Sequence, residues 1–432
     1  MRKKIAFQTF GCKLNFAETS QIARQFADEG FEIVDNKETA DYYVINSCTV
    51  TSIAEKKCKT AIRSVKSRNP DIKIAVIGCF SELKASELNE MEEVNYIIGN
   101  SDKNRIVELI KNEENTIDKS CNGFNFVPVS KTKNFIPSYS LGDRTRSFLK
   151  IQDGCDYFCS YCAIPLARGR SRSDTIENTV KSVHDIAKSS IKEIVLTGVN
   201  IGDFGKNNNQ SFYQLIKELD KVKDIERFRI SSIEPDLLTD VIIGFVAGSE
   251  RFLPHFHIPL QSGNNIILKL MKRHYNRELF AERVFKIKEM MPFACIAADV
   301  IVGFPGETDD YFDDTYTFID SLPVSYLHVF TYSERPNTKS IMLGNKIPMN
   351  IRRDRSRKLQ MLSDNKKHLF YTQNIGTKRK VLFESDIQKG FIYGFTENYI
   401  RVKTQKNTEL INKIVDVELN DLTEEGVFKV II

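Results

Sequence analysis

Short apolar runs alternate with stripes of apolar residues spaced three and four apart over the first 118 positions. The runs Lys4–Phe7, Asp41–Ile45 and Lys73–Ile77 predict strands, and the stripes Asn15–Glu29 and Ala54–Ser67 predict the helices between them. Such alternation marks an open, mostly parallel α/β domain. Residues 119–140 keep neither period and hold Asn-Gly, prolines and serines, so a linker is expected there. From about 146 the alternation resumes, with strands predicted at Phe148–Gln152, Glu193–Thr197, Arg227–Ser231, Pro254–Pro259, Cys295–Val302 and Tyr326–Phe330. Six strand–helix units predict a partial (β/α)6 barrel. A helical stripe then runs from Ile351 to about Gln373. Period-2 runs at Lys380–Phe383, Phe391–Phe395, Tyr399–Lys403, Ile414–Leu419 and Phe428–Ile432 predict a small all-β barrel. The expected organisation is therefore 1–118, a linker at 119–140, a core at 141–373 and an all-β module at 374–432.

Length agrees with this division, since 432 residues exceed what one hydrophobic core supports. No run nears the roughly 18 apolar residues of a membrane helix. The opening Met1–Gly11 lacks the apolar h-region of a secretory signal, so a cytoplasmic protein without a membrane partner is expected. In that reducing compartment nine cysteines point to metal binding, redox chemistry or burial rather than to disulfides. The net charge of +5 matters less than its placement. Residues 351–380 hold ten Lys/Arg against Asp354 and Asp364, a basic face suited to a phosphate backbone or to solvent.

Cys155, Cys159 and Cys162 form Cys-x3-Cys-x2-Cys just after a predicted strand. Thiolates suit iron–sulfur clusters, and three ligands leave one iron of a cubane open. A structural zinc site would need a fourth ligand that the spacing does not supply. Cys12, Cys48 and Cys79 are dispersed, yet each follows the C-terminal end of a predicted parallel strand, the edge where open sheets build ligand sites. They are either three separate buried cysteines or one convergent site. Cys58, Cys121 and Cys295 read as bystanders or core fillers.

Polar residues at the ends of barrel strands make a second set of candidates. Thr197, Gly198 and Asn200 end one strand, Ser232 and Glu234 the next, and Gln261 a third. Together they predict a lined cavity at one rim. Gly303–Thr308 lacks the Lys-Ser/Thr ending of a phosphate loop, and Thr308 reads as a helix cap. Six histidines show no metal spacing. Arg168, Arg170 and Arg172 follow the cysteine triplet directly, and with Arg352, Arg353 and Arg355 they are candidates for an RNA backbone contact.

The segment Gly154-Cys-Asp-Tyr-Phe-Cys-Ser-Tyr-Cys162 matches the signature of radical S-adenosylmethionine (SAM) enzymes. With Ala163–Ser173, Leu196-Thr-Gly-Val-Asn200, His257–Gly263 and Asp299–Thr308, nearly the whole chain resembles the methylthiotransferases. The resemblance implies a 4Fe–4S cluster on Cys155, Cys159 and Cys162, with SAM chelated at its open iron. It implies a second 4Fe–4S cluster on Cys12, Cys48 and Cys79 that carries the sulfur to be transferred, and two SAM molecules per turnover. It also implies that the terminal barrel is TRAM-like and binds RNA, although residues 381–432 hold nine acidic and six basic residues. Gly11-Cys-Lys-Leu-Asn-Phe-Ala-Glu18 resembles the group that modifies threonylcarbamoyladenosine in tRNA. Groups acting on isopentenyladenosine or on a ribosomal-protein aspartate are the alternatives, and a non-catalytic RNA-binding iron–sulfur sensor stands further off. Such an enzyme needs an electron donor and a sulfur source.

Overall fold

The computed structural model describes residues 2–49, 51–115, 129–132, 134–142 and 145–432. Cys121 and the greater part of the expected linker lie outside the described residues.

The N-terminal unit is a five-stranded parallel sheet. Strands β1 (Lys4–Thr9), β2 (Glu32–Val34), β3 (Tyr42–Ser47), β4 (Lys73–Gly78) and β5 (Tyr96–Ile98) stand in the order β2-β1-β3-β4-β5. Alternate residues bury on opposite faces: Tyr43, Ile45, Ile74 and Val76 on one, Tyr42, Val44, Ala75 and Ile77 on the other. Helices α1 (Lys13–Asp28) and α2 (Ser52–Arg68) cover the faces, and α2 begins where the Ala54 N–H donates to the Thr51 hydroxyl. The runs Glu32–Val34 and Tyr96–Ile98 are too short to stand out by period alone, and the sheet edges they form were not expected.

The central unit is a curved parallel wall. Strand β6 (Ser138–Tyr139) pairs antiparallel with β7 (Arg146–Lys150), and a small hairpin, β8 (Gln152–Asp153) with β9 (Arg172–Ser173), follows. Then come β10 (Glu193–Thr197), β11 (Arg227–Ile230), β12 (His255–Gln261), β13 (Cys295–Val302) and β14 (Tyr326–Thr331). Bridges at Phe228–Phe252 and Ser232–His257 join two sheets into one sequence, β7-β10-β11-β12-β13-β14. The six expected β/α units are present, with β7 starting two residues earlier than the pattern suggested. Thr308 caps the helix Asp309–Ser321 by accepting from the Tyr311 N–H.

A 24-residue helix, Met349–Thr372, packs along β14 and leads into the C-terminal sheet. There β15 (Lys378–Gln388), β16 (Phe391–Thr396), β17 (Arg401–Gln405), β18 (Ile414–Glu418), β19 (Asp421–Leu422) and β20 (Phe428–Lys429) run in the order β18-β15-β16-β17-β20-β19. This six-stranded sheet has the curl of a small barrel. Its core is shared: Val381, Phe383 and Phe428 pack with Phe370 and Tyr371 of the helix and with Cys295 of β13. Cys295 is a core filler, and Cys58, fully buried among Ile62, Ile74 and Phe80, is another. No helix among the described residues is long and apolar enough to cross a membrane.

Candidate active site

Cys155, Cys159 and Cys162 sit in the loop that follows β8. Gly154 starts it at φ +71, and a Cβ there would lie 2.0 Å from the Arg170 carbonyl oxygen, so the turn admits only glycine. Each sulfur faces a nitrogen donor. The Tyr157 backbone N–H donates to Cys155 Sγ at 3.4 Å, and that of Ile164 to Cys162 Sγ at 3.4 Å. Arg273 Nη1 donates to Cys159 Sγ at 3.2 Å while its other branch ion-pairs with Glu234. Burial pushes the Cys155 and Cys162 thiols up to about 12. Such sulfurs ionise only against a cation, and the aimed N–H groups await a negative sulfur. This donor set fits an iron–sulfur cluster.

The dispersed cysteines converge. β1, β3 and β4 are adjacent in the sheet, and Cys12, Cys48 and Cys79 follow their C-terminal ends. Gly11 sits at φ +103, and a Cβ there would strike Cys48 Sγ at 2.9 Å, so only glycine lets the Cys12 loop lie against Cys48. The Asn100 amide donates to Cys79 Sγ at 3.6 Å and to the Ala167 carbonyl at 2.6 Å. Asn15, whose amide holds the Phe10 and Ser47 carbonyls, fixes the loop from beneath.

Between the triplets lies a buried cluster of charge. Arg168 donates to Glu18, Asp153 and Asn15, and Lys103 and Lys150 close on Glu18 from other sides. Arg172 pairs with Asp153 at 2.9 Å and donates to the Arg168 carbonyl. Four cations thus face two carboxylates, leaving positive excess beside Cys12 and Cys79, an environment that favours an anionic sulfur site. This corrects the expectation that Arg168 and Arg172 meet RNA: both are buried and committed to carboxylates that join two domains. Of the three arginines in that loop only Arg170 is exposed, over the Phe158 ring at 4.6 Å.

The C-terminal arginines divide in the same way. Arg352 donates to the Tyr332 and Ile347 carbonyls and pairs with Glu334. Arg355 pairs with Glu307 and Asp309 at 2.7 and 2.6 Å. Both are buried against the Gly303–Asp309 loop, and Gly303 lacks a side chain because Arg352 occupies that space. They are corrected from RNA candidates to ties between helix and barrel. Arg353 faces solvent.

Two cavities open between the units. One, of about 250 Å³, is lined by Cys162, Gln261, Asp299 and Arg335 together with Thr49 and Thr51 beside Cys48. The other, of about 470 Å³, is lined by Cys12, Thr197, Gly198, Ser232 and His257. His257 on the wall of the larger cavity and Asp299 on the wall of the smaller one are hydrogen-bonded at 2.7 Å. Cys12 is solvent-accessible yet surrounded by protein, because it faces this interior space.

Of the polar rim residues, Thr197, Gly198, Ser232 and Gln261 line the cavities. Gln261 sits at a β-bulge with φ +64, a strained backbone that turns it away from the ladder. Asn200 points inward, its amide donating to Asp203 and its carbonyl oxygen buried without a partner. Glu234 is held by Arg273, and burial pushes its carboxyl up to about 7.

Sequence reading missed Arg273, Lys13 and the grouping of His257, Asp299 and His328, whose ligand atoms lie within 4.8 Å of one another. The last had a signal. The three occupy inward-facing, period-2 positions on β12, β13 and β14, and the parallel register sets Asp299 opposite His328.

Comparison with known proteins agrees with this arrangement. Residues 4–99 match the model of the uncharacterised protein family UPF0004, and 149–319 match the radical SAM superfamily. The threonylcarbamoyladenosine tRNA methylthiotransferase MtaB of Bacillus subtilis is 36% identical over 96% of this chain and 93% of its own. The Aquifex aeolicus protein of the same name is 36% identical over 96% and 99%. A solved radical SAM methyltransferase, TsrM of Kitasatospora setae, shares the fold at a TM-score of 0.59 with 14% identity, covering 79% of this chain and 77% of that one. Identity at this level across almost the full length of both chains, with the two family matches on this chain, makes it a member of the radical SAM methylthiotransferases, MtaB type.

Proposed function

We propose that this chain inserts a methylthio group at C2 of threonylcarbamoyladenosine in tRNA. The observation that supports the reading is that one cysteine of each triplet, Cys162 and Cys12, borders a cavity between the units. His257 on the wall of one cavity is hydrogen-bonded to Asp299 on the wall of the other, so the two triplets face neighbouring spaces. Cys155, Cys159 and Cys162 would hold one 4Fe–4S cluster, and Cys12, Cys48 and Cys79 the other. When bound, the clusters and SAM supply radical hydrogen abstraction and sulfur transfer, chemistry suited to a purine C2–H that acid–base groups cannot activate.

The chain's own residues position and shield. Arg273 places positive charge on Cys159 and holds Glu234 at the rim. Gln261, Gly198 and Ser232 offer close approach and polar contacts for SAM along the strand ends. The buried charge cluster around Arg168 keeps the two triplets at a fixed separation and water out of the junction. RNA would meet the exposed Arg170 and Arg353 and the TRAM-like module, where Arg401 lies over the Tyr393 ring at 4.3 Å. The cytoplasmic location, an electron donor and a sulfur source belong to the same reading.

Nucleoside mass spectrometry of tRNA from a deletion strain tests it. The 2-methylthio form of threonylcarbamoyladenosine should vanish and its unmodified parent accumulate. Loss of the 2-methylthio form of isopentenyladenosine instead would assign the chain to the other tRNA group.

A further inference from the structure

The larger cavity has a chemical bias. No Asp or Glu lines it, whereas Lys13, Arg146 and Arg229 do. Arg229 lies against Glu193 at 2.8 Å and Arg146 against Glu384 at 2.8 Å, with Arg227 sharing Glu193. Those two carboxylates do not balance the group. Lys13 forms no ion pair among the described residues, and its ammonium stands in the cavity next to Cys12. Lys13 is open to the solvent of the cavity, and with two arginines and no carboxylate in the lining the space attracts an anion.

His255 adds an independent sign. It is 6% exposed and faces the same cavity, and neither ring nitrogen has a hydrogen-bond partner. Its ring packs on Tyr399 at 4.5 Å, which leaves the edge bearing those nitrogens without a protein acceptor or donor. Burial and the neighbouring cations keep the imidazole neutral, with one donor and one acceptor to offer. A buried polar group without a protein partner needs a water, an ion or a ligand group to complete it, and here it stands beside the cationic wall.

We propose that the part of this cavity between Lys13 and His255 is the subsite for the carboxylate of the threonylcarbamoyl group, with Lys13 as its charge partner and His255 hydrogen-bonding the carboxylate or the neighbouring hydroxyl, while Gly198 and Ser232 on the strand ends remain for SAM. The proposal rests on the substrate reading above and extends it to specificity. An isopentenyl group is uncharged and apolar. Placed here, it would leave Lys13 and His255 desolvated and unpaired, and a site built around polar partners rejects a substituent that lacks them.

The test uses the full-length, cluster-reconstituted protein and a short stem-loop RNA carrying threonylcarbamoyladenosine or its threonyl methyl ester. Equilibrium binding is read by fluorescence anisotropy at one fixed salt concentration. Wild type should bind the ester more weakly by about tenfold or more, the loss of one charge-assisted contact. Lys13→Met and Lys13→Gln, with folding checked by circular dichroism, should bind the native RNA about as weakly and lose the ester penalty. An ester penalty that survives in both variants would overturn the assignment of Lys13. Equal weakening of native and ester RNA by the variants, with the penalty intact, would mean that Lys13 meets a backbone phosphate, and would also overturn it. The substrate reading fails separately, if wild type forms no methylthiolated nucleoside on the native RNA. Product formation with no ester penalty would sink the subsite alone.

Discussion

Arg168 and Glu18, from different domains, meet fork to fork. Nη1 to Oε1 and Nη2 to Oε2 are each 3.1 Å, and both side chains are 1% exposed. Arg168 lies six residues past Cys162, and Glu18 lies six past Cys12. A rigid pair so close in sequence to both triplets fixes where one centre stands relative to the other.

Arg168→Ala leaves Glu18 and Asp153 buried against fewer cations. Removing one partner of a buried charge group costs about 3–5 kcal/mol. Differential scanning calorimetry should show a clear fall in the transition temperature, and coupling between the domains should weaken in the same thermogram. An unchanged transition would mean that the network contributes nothing to their union.

The same network predicts an acid limb. Burial opposes ionisation of Glu18, but Arg168, Lys103 and Lys150 outweigh it and hold its carboxyl well below the usual range. Asp153 behaves alike, through Lys150, Arg168 and Arg172. Groups with depressed folded pKa values lend stability that is fully present above their unfolded values and is lost as pH falls below them. Stability should therefore hold above about pH 5 and decline below pH 4.5, the ordinary glutamate value. Thermal scans across this range should show a shallower decline for Glu18→Gln than for wild type.

Replacing any one of Cys155, Cys159 or Cys162 by Ala should abolish reductive SAM cleavage, because two thiolates hold a cubane poorly. The readout is 5′-deoxyadenosine by liquid chromatography. Wild-type yields from any of the three variants would refute the ligand assignment.

Replacing Cys12, Cys48 and Cys79 together should lower iron per chain by about half on the two-cluster reading. SAM cleavage, which depends on the other triplet, should continue while methylthiolated nucleoside disappears. Full iron content in the triple variant would reduce these residues to buried cysteines, and retained product would end the two-cluster reading.

Arg273→Leu removes a cation and an N–H···S hydrogen bond from Cys159. Positive charge and hydrogen bonds to sulfur stabilise the reduced, more negative cluster, so the potential should shift downward. An EPR-monitored redox titration reads that shift, which a purely structural role for Arg273 would not produce.

The strand–helix alternation and the barrel strands were legible because each depends on local period, whereas the shared sheet edge of Cys12, Cys48 and Cys79 depends on the strand order, which no local pattern carries. Glu193–Thr197 and Cys295–Val302 fall where the pattern put them. The arginines were not. Arg-x-Arg-x-Arg after a cluster motif reads as a phosphate contact, and only tertiary structure places Glu18 and Asp153 against Arg168 and Arg172. Arg352 and Arg355 alternate with exposed Arg353 and Arg357, so the basic stripe is one helix with two faces. Lys13 has no signal of its own in the sequence, because the walls that face it, Arg146, Arg229 and His255, come from three distant strands.

Tyr399 has a wider implication. It is held at φ +67, and its ring meets His255 at 4.5 Å and the Arg229 guanidinium at 4.7 Å, so the C-terminal module supplies part of the barrel's floor. Residues 374–432 therefore are not an interchangeable handle for RNA. A chimera that exchanges this segment between relatives must carry the partners of Tyr399 with it, Arg146 and Arg229 included, or the graft will arrive with an opening beneath the reaction space.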